Sequence, residues 1–357
     1  MTNCWPDDTQ VLLFKAAFAG PDARAALDAW RSRVDLDRLE PASTRLLPLL
    51  RWRLTGERAD EPLRTVLQEA AARAADRNAV LLDALCEAMR LLHAHGVDTL
   101  VLKGAGLIAA GVMPEAGRRM ADADLLVPDT QALAARDILR GAGWRFEGRI
   151  DADLVTVRHA VAVRSPSGQP LDLHWHVLPE CATPGADSAF WQAAVAVRLR
   201  DVETRVLGPA DMLLHACVHG LGWSISPPIR WVSDAWLVID SAGPALDWER
   251  LVTQAEQRML VLPVADALRY LRTTFDAPVP DWVTHRLAQA AVPGWALAEH
   301  RVKMRPRTFT RQVMFHWFLH RRLRSSGTWL GDLASMPAYV KRRWPSRTTP
   351  APKARTL

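Results

Sequence analysis

Apolar positions recur at helical spacing at both ends of the chain and give way to short alternating runs in the middle. Residues 9 to 95 read as helical: Val11-Leu12-Leu13-Phe14, Ala25-Ala26-Leu27 with Trp30, and Leu46-Leu47 with Leu49-Leu50 all fit the period. The clearest stripe is Val80, Leu81, Ala84, Leu85, Ala88, Met89 and Leu92, which predicts a helix over 78–95 that ends at Gly96. His93 and His95 sit at that C-terminus, where a cation suits the helix dipole, and read as surface residues. From Asp98 the texture shortens. Thr99–Leu102 predicts a strand, Ala105–Val112 a helix, Pro114–Met120 a loop with Arg118 and Arg119, Ala121–Val127 a strand and Thr130–Gly141 a helix. Ala160–Val163 and Pro170–His174 predict a hairpin turning at Ser165-Pro166-Ser167-Gly168. After Pro209 helical spacing returns, over Ala210–Leu221, Ile229–Ser241, Trp248–Arg258, Pro263–Phe275 and Trp282–Ala291. No fixed-period repeat is visible. The expected architecture is α+β: a small mixed-sheet core over 97–206, an N-terminal helical region over 1–96, a C-terminal helical region over 207–300, and an extension over 301–357.

With 357 residues, 49% of them hydrophobic and 24% charged, the chain can bury a sizeable core. Cys4, Cys86, Cys181 and Cys217 are scattered without a Cys-x-x-Cys, which argues against metal fingers and a disulfide framework. The first residues show no basic segment followed by an apolar one, and no apolar run approaches about 20 residues, so neither a secretory signal nor a transmembrane helix is expected. A cytoplasmic setting follows as an expectation. The net charge of +6 is uneven: residues 301–357 carry 14 Lys/Arg and one acidic residue, Asp332, a formal +13 that leaves −7 for the rest. Such an extension suits nucleic acid, an acidic membrane face or an acidic partner. Phe315, Trp317, Phe318, Trp329 and Trp344 instead favour packing on its own protein, so nucleic acid is not the favoured partner. Only the end, Thr348–Lys353, reads as disordered.

The chemistry concentrates between residues 102 and 176. Leu102-Lys103-Gly104 closes an apolar strand with a small-residue turn, where a glycine lets a backbone amide approach a phosphate and Lys103 adds a point charge. The Walker A order of glycines, lysine and hydroxyl is absent. Eighteen residues on, Asp122-Ala123-Asp124-Leu125-Leu126-Val127 predicts two carboxylates on one strand face. Asp172, in Leu171-Asp172-Leu173-His174-Trp175, supplies a third from a neighbouring strand. Carboxylates so placed repel one another unless a cation lies between them, and hard oxygen ligands suit Mg²⁺ or Mn²⁺. Two such ions about 3.5–4 Å apart can activate an attacking oxygen and stabilise a leaving one. Removing Asp122 or Asp124 is therefore expected to leave stability without metal level or higher. His174 and His176 share the expected face of Asp172, where imidazoles could join a metal cluster with a softer ion such as zinc or manganese, although a supporting role for His174 beside a carboxylate or phosphate is favoured. His215 and His219 lie one helical turn apart, without the glutamate of a zinc protease. Arg230 and Asp234 have the spacing of a helix-surface ion pair, and Trp231 reads as core.

These residues resemble the uncharacterised nucleotidyltransferase family of the DNA polymerase β-like superfamily. The match runs through Leu102-Lys103-Gly104, Arg118, Met120, Asp122-x-Asp124-Leu-Leu-Val127 and Asp172-Leu-His174-Trp175, then Leu214-His215 to His219-Gly220, Arg230-Trp231 and Asp234, over roughly residues 75 to 275. The resemblance implies a nucleotidyltransferase core that moves an NMP from an NTP, with ATP the first expectation, to an unidentified acceptor and releases pyrophosphate. It implies Asp122, Asp124 and Asp172 as metal ligands and catalytic carboxylates, with Asp172 the candidate base. Lys103, Gly104, Arg118 and His219 would face the nucleotide. One departure stands out: the superfamily often places a serine after the motif glycine, and here the residue is Ala105. Two rivals remain open, a binding or regulatory module of the same fold that does not catalyse, and an NTP-using tailoring enzyme of a peptide or glycan pathway that transfers phosphate.

Overall fold

The computed structural model describes residues 4–343 apart from 19, 21, 55–59, 223–228, 307 and 325–327. Trp344 and Thr348–Lys353 lie outside that set, as does the side chain of Trp329. The strands are β1 (Leu100–Leu102), β2 (Ala123–Leu126), β3 (Arg145–Phe146), β4 (Ala160–Arg164), β5 (Pro170–His174), β6 (Val195–Leu199) and β7 (Val202–Val206). They form one mixed sheet in the order β3-β4-β5-β2-β1-β7-β6. β2 lies at its centre, parallel to β5 and antiparallel to β1. The fold is thus α+β with a mixed sheet, and the hairpin of β4 and β5 turns where the sequence places it, with Gly168 at φ +86°. The hairpin of β6 and β7 was not among the expected elements. Its signal is the period of two in β7, with Val202, Thr204 and Val206 buried between exposed Glu203 and Arg205.

The helix expected over 78–95 runs from Leu63 to His93. The added turns are rich in alanine and long straight side chains, good helix formers, and Leu63, Leu67, Ala70 and Ala74 continue the buried stripe. Gly96 at φ +72° ends it. This helix packs across β2, β5 and β7. The stripe contains one polar residue, Asn78, fully buried. Its amide donates to the carbonyls of Glu115 (2.5 Å) and Arg118 (2.6 Å), and its oxygen accepts from the Met120 N–H (2.9 Å). A buried amide satisfied on both sides fixes the loop that carries Arg118.

The N-terminal helices pack against the C-terminal ones. Phe18 stacks on Trp236 at 4.3 Å between centroids, Phe14 meets Phe275 edge-on at 5.8 Å, and Trp5 meets Trp231 edge-on at 5.7 Å. Gly220 is required here, because a Cβ on it would lie 2.1 Å from Trp231 Cγ. The extension packs as its aromatics suggest: Phe318, Leu319 and Tyr339 are buried on helices Phe309–Arg322 and Trp329–Arg343. Lys303 Nζ lies 2.7 Å from both Glu180 and Glu299, and Arg322 Nε lies 2.7 Å from Glu299. Arg343 donates to the Val157 carbonyl (2.5 Å). No helix among the described residues is long and apolar enough to cross a membrane.

Burial pushes the Glu299 carboxyl up, but Lys303 and Arg322 more than reverse this and hold it below its ordinary 4.5. That stabilisation is complete above 4.5 and is lost as pH falls towards the lowered value. Glu299→Gln should cost about 3 kcal/mol in urea denaturation at neutral pH, with a smaller difference from wild type in acid. Ending the chain after His300 should expose the face under Phe318 and Tyr339 and yield an aggregating product. A monomeric, equally stable truncation would show that the extension contributes nothing to the fold.

Candidate active site

The site begins where β1 ends. Lys103 turns the chain from strand into helix Lys103–Ala109 with φ +50°, a left-handed conformation uncommon outside glycine. This turn carries the side chain onto β2, where Lys103 Nζ lies 2.5 Å from Asp124 Oδ1. Register does the rest. Asp124 pairs with Leu102 across β1 and with Asp172 across β5, so the two carboxylates are neighbours on adjacent parallel strands. His174 ends β5 and places Nε2 3.0 Å from the same Asp124 Oδ1. Ligand atoms of Asp124, Asp172 and His174 all lie within 4.8 Å of one another, a mixed oxygen and nitrogen donor set that fits a divalent cation.

The glycines of the turn serve packing. A Cβ on Gly104 would lie 2.9 Å from Met120 Sδ and 3.5 Å from Arg118 Nε, and one on Gly106 would lie 2.7 Å from the Val101 carbonyl oxygen. Gly104 thus brings the Arg118 loop down on the turn. Ala105 is buried in the core.

Charge is unevenly balanced here. Burial pushes the Asp124 carboxyl up, yet Lys103 and His174 outweigh it and hold Asp124 far below the usual carboxylate range. Burial pulls the Lys103 ammonium down, and Asp124 more than restores it. Asp172 has no such partner, and burial followed by the Asp124 charge pushes it up. Burial also drives His159 and His215 well below the ordinary imidazole value. His219 opens onto the cavity but is walled by protein, and that enclosure, then Lys103, lowers it as well.

A cavity of about 320 Å³ opens in front of this cluster. Lys103, Gly104, Arg118, Asp122, Asp124 and His219 line it, together with Arg45, Trp231, Arg230 and Asp234 from the helical regions. Asp172 and His174 stand behind Asp124 on the sheet. Three sequence expectations need correction. β2 begins at Ala123, so Asp122 lies in the bend before it, exposed on the cavity rim and outside the close trio. Asp234 pairs with Arg118 across the cavity, whereas Arg230 donates to the Arg119 carbonyl (2.9 Å), because the Asn78-anchored loop presents Arg118 to that helix. His176 leaves the sheet and binds Asp187 at 2.8 Å. Trp231 is buried, donating to the Cys4 carbonyl, as a core residue would. Arg45, Arg230 as a cavity residue and Asn78 escaped the sequence reading. Only Asn78 had a signal, an amide inside an apolar stripe.

A mixed sheet with adjacent carboxylates at its centre, fronted by a strand-to-helix turn and a cationic cavity, has the parts of a nucleotidyltransferase. The chain matches the family described as "Uncharacterised nucleotidyltransferase" over residues 42–276, and it belongs to that family. No curated protein matches it. Among solved structures it is similar to an antigenic nucleotidyltransferase-like protein from Paracoccidioides brasiliensis, at 15% identity and a TM-score of 0.37 over 62% of this chain and 97% of that one.

The contacts of Asp124 reverse the stability expectation for that residue. Asp124→Asn leaves the Lys103 ammonium buried without its counter-charge and should cost roughly 3–5 kcal/mol without metal. Exposed Asp122→Asn should stay within about 0.5 kcal/mol of wild type. Thermal denaturation of both variants in chelator checks this, and equal melting temperatures would mean the Lys103–Asp124 pair contributes no stability.

Proposed function

We propose that this protein is a metal-dependent nucleotidyltransferase that moves an NMP from an NTP, ATP by first expectation, to an unidentified acceptor such as a small molecule, peptide, glycan or protein. The observation that carries the reading is the Asp124–Asp172 pair, register neighbours on parallel strands beside the Lys103–Gly104 turn and its cavity. Asp124 and Asp172, with Asp122 on the rim, would hold Mg²⁺ or Mn²⁺, which would neutralise triphosphate charge and acidify an acceptor hydroxyl. The residues of the chain do the remaining work. Lys103, the Gly104 turn and Arg118 face the phosphates, His219 lines the nucleotide side, and His174 orients Asp124. The acceptor oxygen forms a bond to the α-phosphorus, the bridge to the β-phosphate breaks, and pyrophosphate leaves. Asp172, the neighbour of Asp124 on β5, would accept the acceptor proton, a role supported by burial and the Asp124 charge, which raise its affinity for a proton.

A second reading, a module that binds nucleotide without turnover, draws support from Ala105, which offers no hydroxyl to a phosphate. Calorimetry with ATP, GTP, CTP and UTP in Mg²⁺ or Mn²⁺ should show binding of at least one, and Asp172→Asn should abolish transfer. Mass spectrometry of candidate acceptors separates addition of an NMP from addition of phosphate. Binding without any adduct would favour the module, and no binding of all four nucleotides would sink the nucleotide reading altogether.

A further inference from the structure

Three guanidinium groups meet at the cavity from three parts of the chain. Arg118 comes from the Asn78-anchored loop, Arg230 from the start of helix Trp231–Ala242, and Arg45 from the end of the short helix Pro41–Thr44. Asp234 pairs with Arg118, and Asp122 and Asp124, the latter held by Lys103, are the other carboxylates that line the cavity. The Arg45 guanidinium makes no hydrogen bond or ion pair with another described residue. Arg118 Nε is buried without a hydrogen-bond partner, although its Nη1 reaches Asp234. Like charges gathered around one cavity, with Arg45 at its exposed edge, raise the energy of the empty site, and the repulsion falls on Arg230. The Arg118 charge first, then burial, pushes Arg230 down to about 10. An anion entering the cavity would relieve that repulsion and supply the missing acceptors.

We infer that Arg45 and Arg230, with Arg118, form a polyphosphate subsite that grips the terminal phosphates of the donor. This inference rests on the nucleotidyltransferase reading for the identity of the donor and on the geometry for the anion. The position favours the donor's phosphates over an anionic acceptor, because Arg118 Nε would lie 3.5 Å from a Cβ on Gly104 and so borders the phosphate-facing turn. Lys103 is shared with Asp124, and Ala105 provides no hydroxyl, so the guanidinium groups add hydrogen-bond donors to phosphate that the turn itself lacks. Planar guanidinium groups present forked N–H pairs that match phosphate oxygens. Arg45 also gives the N-terminal helical region a direct part in the site, and it lies within the span matched to the family.

The test uses the full chain, with inorganic tripolyphosphate and Mg·ATP titrated separately by calorimetry. Arg45→Gln removes no hydrogen bond or ion pair with another described residue and should leave the melting temperature unchanged. Arg45→Gln and Arg230→Gln should each weaken tripolyphosphate binding about tenfold, as loss of one charged hydrogen-bond donor does. Both should also flatten its salt dependence. Gln in place of Arg145, an exposed residue on the edge strand β3, should change nothing. Unchanged tripolyphosphate and ATP affinity in both variants overturns the subsite and leaves the nucleotide reading standing. Arginine-dependent tripolyphosphate binding with no affinity for Mg·ATP, nor for GTP, CTP or UTP titrated in the same way, supports the subsite and overturns the nucleotide reading. Wild-type protein that binds neither probe overturns both.

Discussion

The ion pair between Lys103 and Asp124 is the constraint around which the rest of the site is arranged. Asp124 lies on the central strand of the sheet, where a lone carboxylate would bear a large desolvation penalty. Two donors meet it on one oxygen, the Lys103 ammonium and His174 Nε2, and keep it ionised. To deliver that ammonium the chain accepts a left-handed residue at the end of β1, a local cost of roughly 1–2 kcal/mol. Strain of this kind persists only where surrounding contacts over-determine it. Here β1 is hydrogen-bonded on both sides, and Gly106 lets the following helix close on the Val101 carbonyl.

The second requirement is that the cavity be walled from three sides. A satisfied asparagine on the long helix fixes the Arg118 loop, and Arg118 then reaches Asp234 on a C-terminal helix. Aromatic contacts such as Phe18 on Trp236 draw the N-terminal helices onto the same C-terminal helices. Arg45 arrives at the cavity as a consequence of that packing. The helical regions therefore shape the pocket, while the sheet supplies its carboxylates. Uncharged residues, Asn78 and Gly220 among them, set where the charged groups stand.

What could be read in the sequence follows from how local each signal is. Asp124 and Asp172 were legible because strand alternation and an apolar flank are local, and register neighbours need only the sheet to form. The helix ends at Gly96 and around Pro209 were legible for the same reason. The bend at Asp122 was not, since two further carboxylate-compatible strand positions look the same in a string of letters. Arg230 and Asp234 fitted the spacing of a helix pair, yet tertiary packing gave Asp234 a partner from a distant loop. Arg45 sits at the end of a short helix among ordinary surface residues, and only tertiary packing, including that of the next helix on Leu63–His93, brings it to the same cavity as Arg230. β7 was readable by its period of two, but the exposed positions of the hairpin gave too little apolar contrast.

The same contacts couple cation and nucleotide in the proposed reaction. Lys103 and His174 both donate to Oδ1 of Asp124, so a divalent ion ligated by that oxygen must compete with the ammonium. A displaced Lys103 remains tethered at the turn beside Gly104, facing the cavity. Its half-buried charge would then lose its closest counter-ion unless an anion arrived with the metal. A metal–nucleotide complex brings both at once, the cation for Asp124 and Asp172 and the phosphates for Lys103 and the arginines. The cation alone would take Asp124 from Lys103, and the phosphates restore a counter-charge to that ammonium. Cation and triphosphate are therefore expected to bind cooperatively, and by linkage each must raise affinity for the other by the same factor.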